Sequence, residues 1–239
     1  MSFDQNRPNT QTAHSGVKDI DLGLQAYMHK IYHTMGLGLV VTGLTAFGVA
    51  SVPALFNAIF GTPLMWVVML APLAFIWLGF TPARMEKMSS EKVKMLFLIF
   101  CAVMGLSMAA IFHVFTGASI ARVFFITSAT FAATSLYGYT TKKDLTGVGS
   151  FLFMGLIGIV IASLVNIFMQ SAMVHFVVSV IGVLVFTGLT AWETQRLKLV
   201  YRPGNDEANS KMATLGALGL YLNFINLFQM LLHLMGDRR

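Results

Sequence analysis

Five long stretches of this chain contain no Asp, Glu, Lys or Arg, and they limit its possible folds more than any other feature. They are residues 31–83, 95–121, 123–141, 145–192 and 212–236. A helix needs about 20 mostly apolar residues to cross the hydrocarbon core of a bilayer. The stretches 31–83 and 145–192 each have room for two such helices, so the pattern predicts seven transmembrane spans.

The composition excludes a soluble fold. Only 11% of the residues are charged, against roughly 25% in soluble proteins. A soluble domain of this size with so few charged residues would lack the polar surface that must face water. We therefore expect an all-α, polytopic membrane protein embedded in the lipid bilayer, because open strand edges leave backbone groups without hydrogen bonds in lipid. The net charge of +6 is interpreted as loop charge and not as a surface for nucleic acid.

Turn residues divide the two longest stretches. The Gly61-Thr62-Pro63 run separates a first span (about 31–54) from a second (about 63–80), and Gln170-Ser171 separates the fifth (about 151–169) from the sixth (about 173–192). The predicted organisation is a flexible cytoplasmic N-terminal tail (1–29), a seven-helix transmembrane domain (30–236) and a short C-terminal tail (237–239).

Basic residues set the expected orientation. With the N-terminus inside, the inner segments hold 13 of the 16 Lys and Arg residues and the outer segments hold Arg122, Arg238 and Arg239. Because Lys and Arg accumulate in cytoplasmic loops, this distribution predicts a cytoplasmic N-terminus and an external C-terminus. Short loops favour a bacterial inner membrane.

Glu193 is the most informative polar residue. It follows a charge-free run of 48 residues at the inner end of the sixth span. One interpretation is an interfacial residue that pairs with Arg196 or Lys198. The other is a carboxylate that faces the bundle interior and binds a proton or a cation, since ionisable groups within a membrane are costly and usually functional.

The seventh span carries a polar stripe. Asn223, Asn226, Gln229 and His233 lie within about a 120° arc of one helix, and Gly219 shares that face. The simpler interpretation for Asn226 and Gln229 is that their side chains form hydrogen bonds between helices and have no further function. Asn223 is a candidate to share a cation with Glu193 through its carbonyl oxygen.

Catalytic motifs and metal-ligand spacings are missing from the sequence. It has no His-Glu-x-x-His, no serine-protease nucleophile motif, no phosphate-binding glycine loop and no lysine in the seventh span for a retinal Schiff base. The histidines show no spacing typical of a metal site, so packed or interfacial histidines are the favoured interpretation. We expect no enzymatic activity and no cofactor.

Several segments together resemble the Bax inhibitor-one family, most closely its bacterial YccA-like branch. The two most specific are Gly188-Leu-Thr-Ala-Trp-Glu-Thr-Gln-Arg-Leu-Lys198 and Ala217-Leu-Gly-Leu-Tyr-Leu-Asn-Phe-Ile-Asn-Leu-Phe228. Further matching segments are residues 24–32, 118–121, 135–145 and 156–166, so the resemblance covers nearly the whole chain beyond the N-terminal tail.

The resemblance implies a seven-helix bundle with a central last helix, and a pH-sensitive calcium leak controlled by two facing aspartates. Their positions correspond here to Glu193 and Asn223. The chain therefore departs from the family by offering one carboxylate fewer to calcium, which prefers several. Glu193 is the expected calcium ligand and pH sensor, and Arg84 resembles a basic residue proposed as a gating latch.

Two other functions stay open. A non-conducting regulator of a membrane partner, such as a membrane-bound quality-control protease, would use the N-terminal tail as its handle. A secondary transporter is the third possibility, but the chain lacks an internal repeat and matched broken helices.

Overall fold

The computed structural model describes residues 10–239, with side chains from residue 22 onward. Within those residues the chain forms ten helices and no strand, apart from one isolated antiparallel bridge between Phe115 and Arg238. The helices are α1 (Thr10–Ser51), α2 (Pro53–Phe60), α3 (Leu64–Gly79), α4 (Pro82–Lys87), α5 (Ser90–Met108), α6 (Ile111–Val114), α7 (Gly117–Thr140), α8 (Thr146–Met169), α9 (Ala172–Val200) and α10 (Asp206–Met235).

Six segments are long and apolar enough to cross a membrane by themselves. The bent pair α2 and α3 makes a seventh if it is counted as one span, and the two helices meet at 82°. This architecture confirms an all-α polytopic membrane protein. The helix expected at about 63–80 corresponds to α3, and the unexpected element is α2, a separate helix that begins at Pro53 and ends just before the turn at Gly61-Thr62-Pro63.

The predicted N-terminal tail coincides only partly with the described residues. Residues 1–9 lie outside them, whereas α1 already begins at Thr10 and its membrane-spanning part begins at Leu22. The boundary placed at residue 30 stays a prediction.

Helix α10 occupies the centre of the bundle. In the most apolar 18-residue segment of α10, 61% of the segment is buried inside the bundle, whereas the corresponding share for α8 at the periphery is 6%. It packs against α1, α5, α7 and α9, and Leu220, Tyr221 and Leu227 are fully buried. The outer faces carry large exposed apolar side chains such as Trp77 and Phe168, as expected for a surface in contact with lipid.

Glycines allow the closest helix crossings. A Cβ at Gly105 of α5 would lie 2.4 Å from the carbonyl oxygen of Thr42 in α1. At Gly138 of α7 it would lie 2.1 Å from the carbonyl oxygen of Ala191 in α9. Small residues at these crossings let the backbones pack directly, as is usual in membrane bundles.

Polar contacts hold the helix ends and the loops between helices in place at both ends of the bundle. At the glutamate end, defined here as the end nearer Glu193, Glu207 accepts hydrogen bonds from the N–H and the hydroxyl of Ser90, both at 2.8 Å. At the opposite or aspartate end, Asp237 forms an ion pair with Arg122 at 2.6 Å. There Thr116 N–H also donates to the Asp237 carbonyl oxygen at 3.0 Å, so the C-terminal residues lie across the α6–α7 connection.

Candidate ion-binding site

Glu193 lies on α9 with its carboxylate against the backbone of α10. Only 13% of its side chain is exposed. A Cβ at Gly219 would lie 2.4 Å from Glu193 Oε1 and 2.8 Å from Cδ. The carboxylate can occupy this position because residue 219 has no side chain, so the sixth-span motif and the glycine in the seventh-span motif together build the site.

Arg196 is the charged partner of Glu193, one helical turn further along α9. Its Nη2 atom lies 3.4 Å from Glu193 Oε1, longer than the roughly 2.7–2.9 Å of a strong charge-assisted hydrogen bond. The Arg196 side chain is 53% exposed, and its guanidinium lies 5.2 Å from the centroid of the Trp192 ring. The geometry therefore combines the two interpretations of Glu193, since the carboxylate is nearly buried and also faces an exposed arginine.

Asn223 lies one turn beyond Gly219 on the same face of α10. Its side chain faces the Glu193 carboxylate. The residue is 7% exposed, and its Nδ2 atom makes no hydrogen bond of ordinary geometry with the side chains and backbone that the structure describes. Buried amide groups nearly always have a partner, and the acceptor that this amide faces is the Glu193 carboxylate.

The structure does not bring Arg84 to this site. Arg84 belongs to the short helix α4, and its Nη1 atom donates to the Leu78 carbonyl oxygen at 2.9 Å, which satisfies the C-terminal end of α3. The guanidinium also borders a groove between α3 and α5. A latch function for Arg84 stays a prediction.

Residues beside Glu193 that the sequence patterns did not single out connect its helix to two neighbouring elements. Thr194 and Ser135 of α7 are hydrogen-bonded through their hydroxyls at 3.0 Å, and Ser135 contacts the Tyr32 hydroxyl of α1 at 2.5 Å. Gln195 accepts from Leu145 N–H at 2.8 Å and so attaches α9 to the α7–α8 loop. Hydroxyl and amide residues are common in loops and spans, so spacing alone does not identify these contacts.

The predicted polar stripe of α10 divides into parts with different environments. Asn223 faces Glu193, and Asn226 donates to the Leu222 carbonyl oxygen of its own helix at 2.8 Å. Gln229 and His233 line cavities near the aspartate end. The stripe is therefore not one continuous polar track, because the Asn226 amide is bonded to its own helix and the apolar Met230 lies on the same face against Gly182 of α9.

The chemistry that this arrangement supports is the binding of a proton or a single cation. One nearly buried carboxylate supplies negative charge, and the Asn223 amide, whose oxygen can contact a cation, lies beside it. No group of three or more His, Cys, Asp or Glu that could hold a metal ion occurs in the part of the chain that the structure describes.

The sequence is similar to a family and to several bacterial membrane proteins. A family model described as inhibitor of apoptosis-promoting Bax1 matches residues 24–239. The inner membrane protein YbhL of Escherichia coli K12 is 44% identical over 221 residues, which cover 91% of this chain and 94% of that protein. An uncharacterized protein of Rickettsia prowazekii is 43% identical over 234 residues, covering 96% and 97% of the two chains.

A more distant relative shows the same extent of similarity. An uncharacterized membrane protein of Streptococcus pyogenes is 34% identical over 223 residues, which cover 90% of this chain and 94% of that protein. The matches span the transmembrane bundle and include both motifs that form the Glu193 site. The chain therefore belongs to the Bax inhibitor family of integral membrane proteins.

Proposed function

We propose that this protein is a pH-sensitive, calcium-permeable leak channel in which Glu193 is the cation site and Asn223 its amide partner. The observation that carries the proposal is the Glu193 carboxylate itself, which is nearly buried against Gly219 of the central helix. Burying a carboxylate within a membrane domain is costly, and its ion pair with Arg196 is long and mostly exposed. The contact with Arg196 therefore offsets little of the free-energy cost of burying the carboxylate charge.

Protonation of Glu193 would decrease flux. An ionised carboxylate attracts a cation, and a neutral carboxyl cannot balance its charge, so calcium flux should fall as the medium becomes more acidic. Among the described residues, Arg196 is the charged group in contact with Glu193, and Asn223 is the polar group facing it from α10. Neither carries a second carboxylate, so a single acid would have to sense pH.

Conduction would require movement around α10. Met230 lies on the polar face of α10 beyond Asn223 and packs against Gly182 of α9. An ion passing along the polar face of α10 must displace this packing, and we propose that the charge on Glu193 biases that displacement. Arg84 is proposed as a latch at the end of α3, acting on the bent α2–α3 span rather than on Glu193 directly.

The proposed location is a bacterial inner membrane, with the glutamate end in the cytoplasm and the C-terminus outside. The bias of Lys and Arg toward one set of connections supports this orientation. The Escherichia coli relative YbhL is named an inner membrane protein, which also supports this location. We further propose that the protein acts without enzymatic chemistry and without a cofactor.

Calcium flux in proteoliposomes tests this function. Vesicles that contain a calcium indicator should show uptake that rises between about pH 6 and pH 8, and Glu193→Gln should abolish the pH dependence. The matched control is Glu86→Gln, which makes the same change at an exposed position. Equal flux and equal pH dependence in the Glu193 variant and the native protein would exclude the assigned site.

A non-conducting regulator of a membrane partner, such as a quality-control protease, is the second candidate. The observation in its favour is the polar N-terminal segment that precedes the first span at Leu22. Deletion of that segment should abolish regulation of the partner and leave any calcium flux unchanged. If the deletion removes flux instead, the segment belongs to the channel and the regulator model fails.

A further inference from the structure

A cavity with a polar lining lies near the aspartate end of the bundle. It has a volume of about 310 Å³ and is enclosed by α8, α9 and α10. Its polar lining consists of Ser163, Asn166, His175, Ser179, Gln229 and His233. The distance from Asn223 to His233 along α10 is about 15 Å, so this cavity is separate from the Glu193 site.

Two imidazoles meet in the cavity from different helices. His175 of α9 and His233 of α10 have ring centroids 4.6 Å apart and planes inclined at 78°. Neither imidazole, nor the Gln229 amide, makes a hydrogen bond with any residue that the structure describes. Other polar groups nearby are already engaged: Ser179 donates to the His175 carbonyl oxygen, and Asn166 accepts from Ser171 N–H.

The spacing of the two rings fits a shared metal ion. With metal–nitrogen bonds of about 2.0–2.1 Å, two imidazoles at neighbouring positions on one ion have centroids about 4.5–5.2 Å apart. The separation of 4.6 Å falls within that range. Neutral imidazole nitrogens favour borderline divalent ions such as Zn²⁺ and Cu²⁺ over Ca²⁺, which prefers oxygen ligands.

We propose that His175 and His233 form a binding site for a divalent transition-metal ion, completed by the Gln229 amide oxygen and by water in the cavity. Two protein nitrogens leave coordination positions open, so binding is reversible and of moderate strength. The site does not depend on ion conduction through the bundle, and it can be present whether or not the Glu193 proposal holds.

The charges around this cavity weaken the binding of a dication. The nearest basic residue is Arg238, whose guanidinium lies 6.0 Å from the centroid of the Phe115 ring, which in turn packs edge-on against His233. The Asp237 carboxylate is neutralised by Arg122. Removing the charge with Arg238→Gln should therefore raise the affinity for Zn²⁺ about threefold.

Metal titration of the purified full-length protein in detergent, prepared without a polyhistidine tag, tests the site. His29 and His33 are exposed and one turn apart on α1, with ring centroids 6.3 Å apart, so they also form a possible chelating pair. All measurements therefore use a His29→Ala/His33→Ala background. In it, calorimetry should detect one equivalent of Zn²⁺ with a Kd on the order of 10 µM.

Substitution of either cavity histidine should remove this binding. His175→Gln or His233→Gln should weaken Zn²⁺ binding at least about tenfold, while the exposed control Glu86→Gln should leave it unchanged. Electron paramagnetic resonance of bound Cu²⁺ should show coupling to two imidazole nitrogens, reduced to one in each variant. This spectrum separates lost ligation from disturbed folding, which size-exclusion profiles also monitor.

Several results would overturn the site. They are the lack of Zn²⁺ binding tighter than about 100 µM, binding that survives both histidine substitutions, and a Cu²⁺ spectrum without nitrogen coupling. Each would leave the two rings as an ordinary edge-to-face packing pair.

Discussion

Gly219 of α10 lies directly against the carboxylate of Glu193 in α9, so a Cβ at position 219 would lie 2.4 Å from Oε1. The acidic group and the glycine thus form one structural unit on two adjacent helices. The unit also explains how a charged side chain reaches the most buried helix of the bundle. A backbone without a side chain provides the space, and an exposed arginine remains 3.4 Å away.

Alanine substitution at Gly219 should displace the carboxylate without unfolding the bundle. The atoms that a new methyl group would meet are at the end of a flexible glutamate side chain, which can rotate away. We expect a loss of about 1 kcal/mol in the free energy of unfolding, measured by denaturant titration in detergent. Calcium flux should lose its pH dependence, as in Glu193→Gln.

Two other glycines provide controls for this substitution. At Gly138 the methyl group would meet the Ala191 backbone, which cannot rotate away, so Gly138→Ala should cost about 3 kcal/mol. At Gly158 it would meet nothing within 4 Å, so Gly158→Ala should be neutral or slightly stabilising. Equal costs at all three positions would contradict the assigned contacts.

Asn223→Asp should sharpen the pH response. The substitution places a second carboxylate beside Glu193, and two acids this close cannot both ionise readily, so they share a proton. We expect calcium flux to change more between about pH 6 and pH 8 than in the native protein, and to be higher in alkaline medium. Flux assays of Asn223→Asp, Glu193→Gln and the double variant check this, and identical profiles for Asn223→Asp and the native protein would argue against a paired site.

The charge-free stretches were sufficient to predict where the spans lie. A charged side chain in lipid is so costly that spans contain few of them, and this is visible in the sequence alone. Glu193 and Asn223 drew attention because polar residues are rare in and beside such stretches, and their function stays a prediction. The separate helix α2 and the 82° bend before α3 were not predicted, since turn residues indicate a break in the helix but not its angle. The pairing of His175 with His233 was also missed, because these residues are far apart in the chain and meet only through the packing of α9 on α10.

Asp144 should contribute to stability only above strongly acidic pH. The hydroxyl and the N–H of Thr146, the first residue of α8, stabilise the ionised carboxylate and lower the Asp144 pKa below its usual 3.8. The N–H donates to Oδ1 at 2.9 Å. A lowered pKa in the folded state gives stability that is fully present above the unfolded pKa and is lost as the pH falls through the folded pKa.

Thermal unfolding of Asp144→Asn in detergent checks this contribution. The variant should unfold at a lower temperature than the native protein at neutral pH, because an amide oxygen is a weaker acceptor than a carboxylate. The difference should shrink as the medium approaches about pH 3. A constant difference at all pH values would show that the carboxylate charge is not its source.

The buried hydroxyls of Thr42 and Tyr221 should differ in what their removal costs. Thr42 Oγ1 lies 2.7 Å from the Tyr221 hydroxyl, 2.9 Å from the Gly38 carbonyl oxygen and 3.0 Å from the Cys101 carbonyl oxygen. Either hydroxyl can donate in the Thr42–Tyr221 contact; because Thr42 has two carbonyl oxygens as acceptors, we assign its proton to one of them and make Tyr221 the donor to Thr42. Tyr221→Phe removes that donor and leaves Thr42 bonded, so it should cost about 1 kcal/mol.

Thr42→Val should cost more, because it leaves the Tyr221 hydroxyl buried without an acceptor. We expect up to about 3 kcal/mol in the free energy of unfolding, measured by denaturant titration in detergent. The double variant should then be more stable than Thr42→Val alone, since Phe at position 221 removes the unpaired donor. Additive costs in the double variant would mean that the two hydroxyls do not interact, and would contradict a Thr42–Tyr221 hydrogen bond at the centre of the bundle.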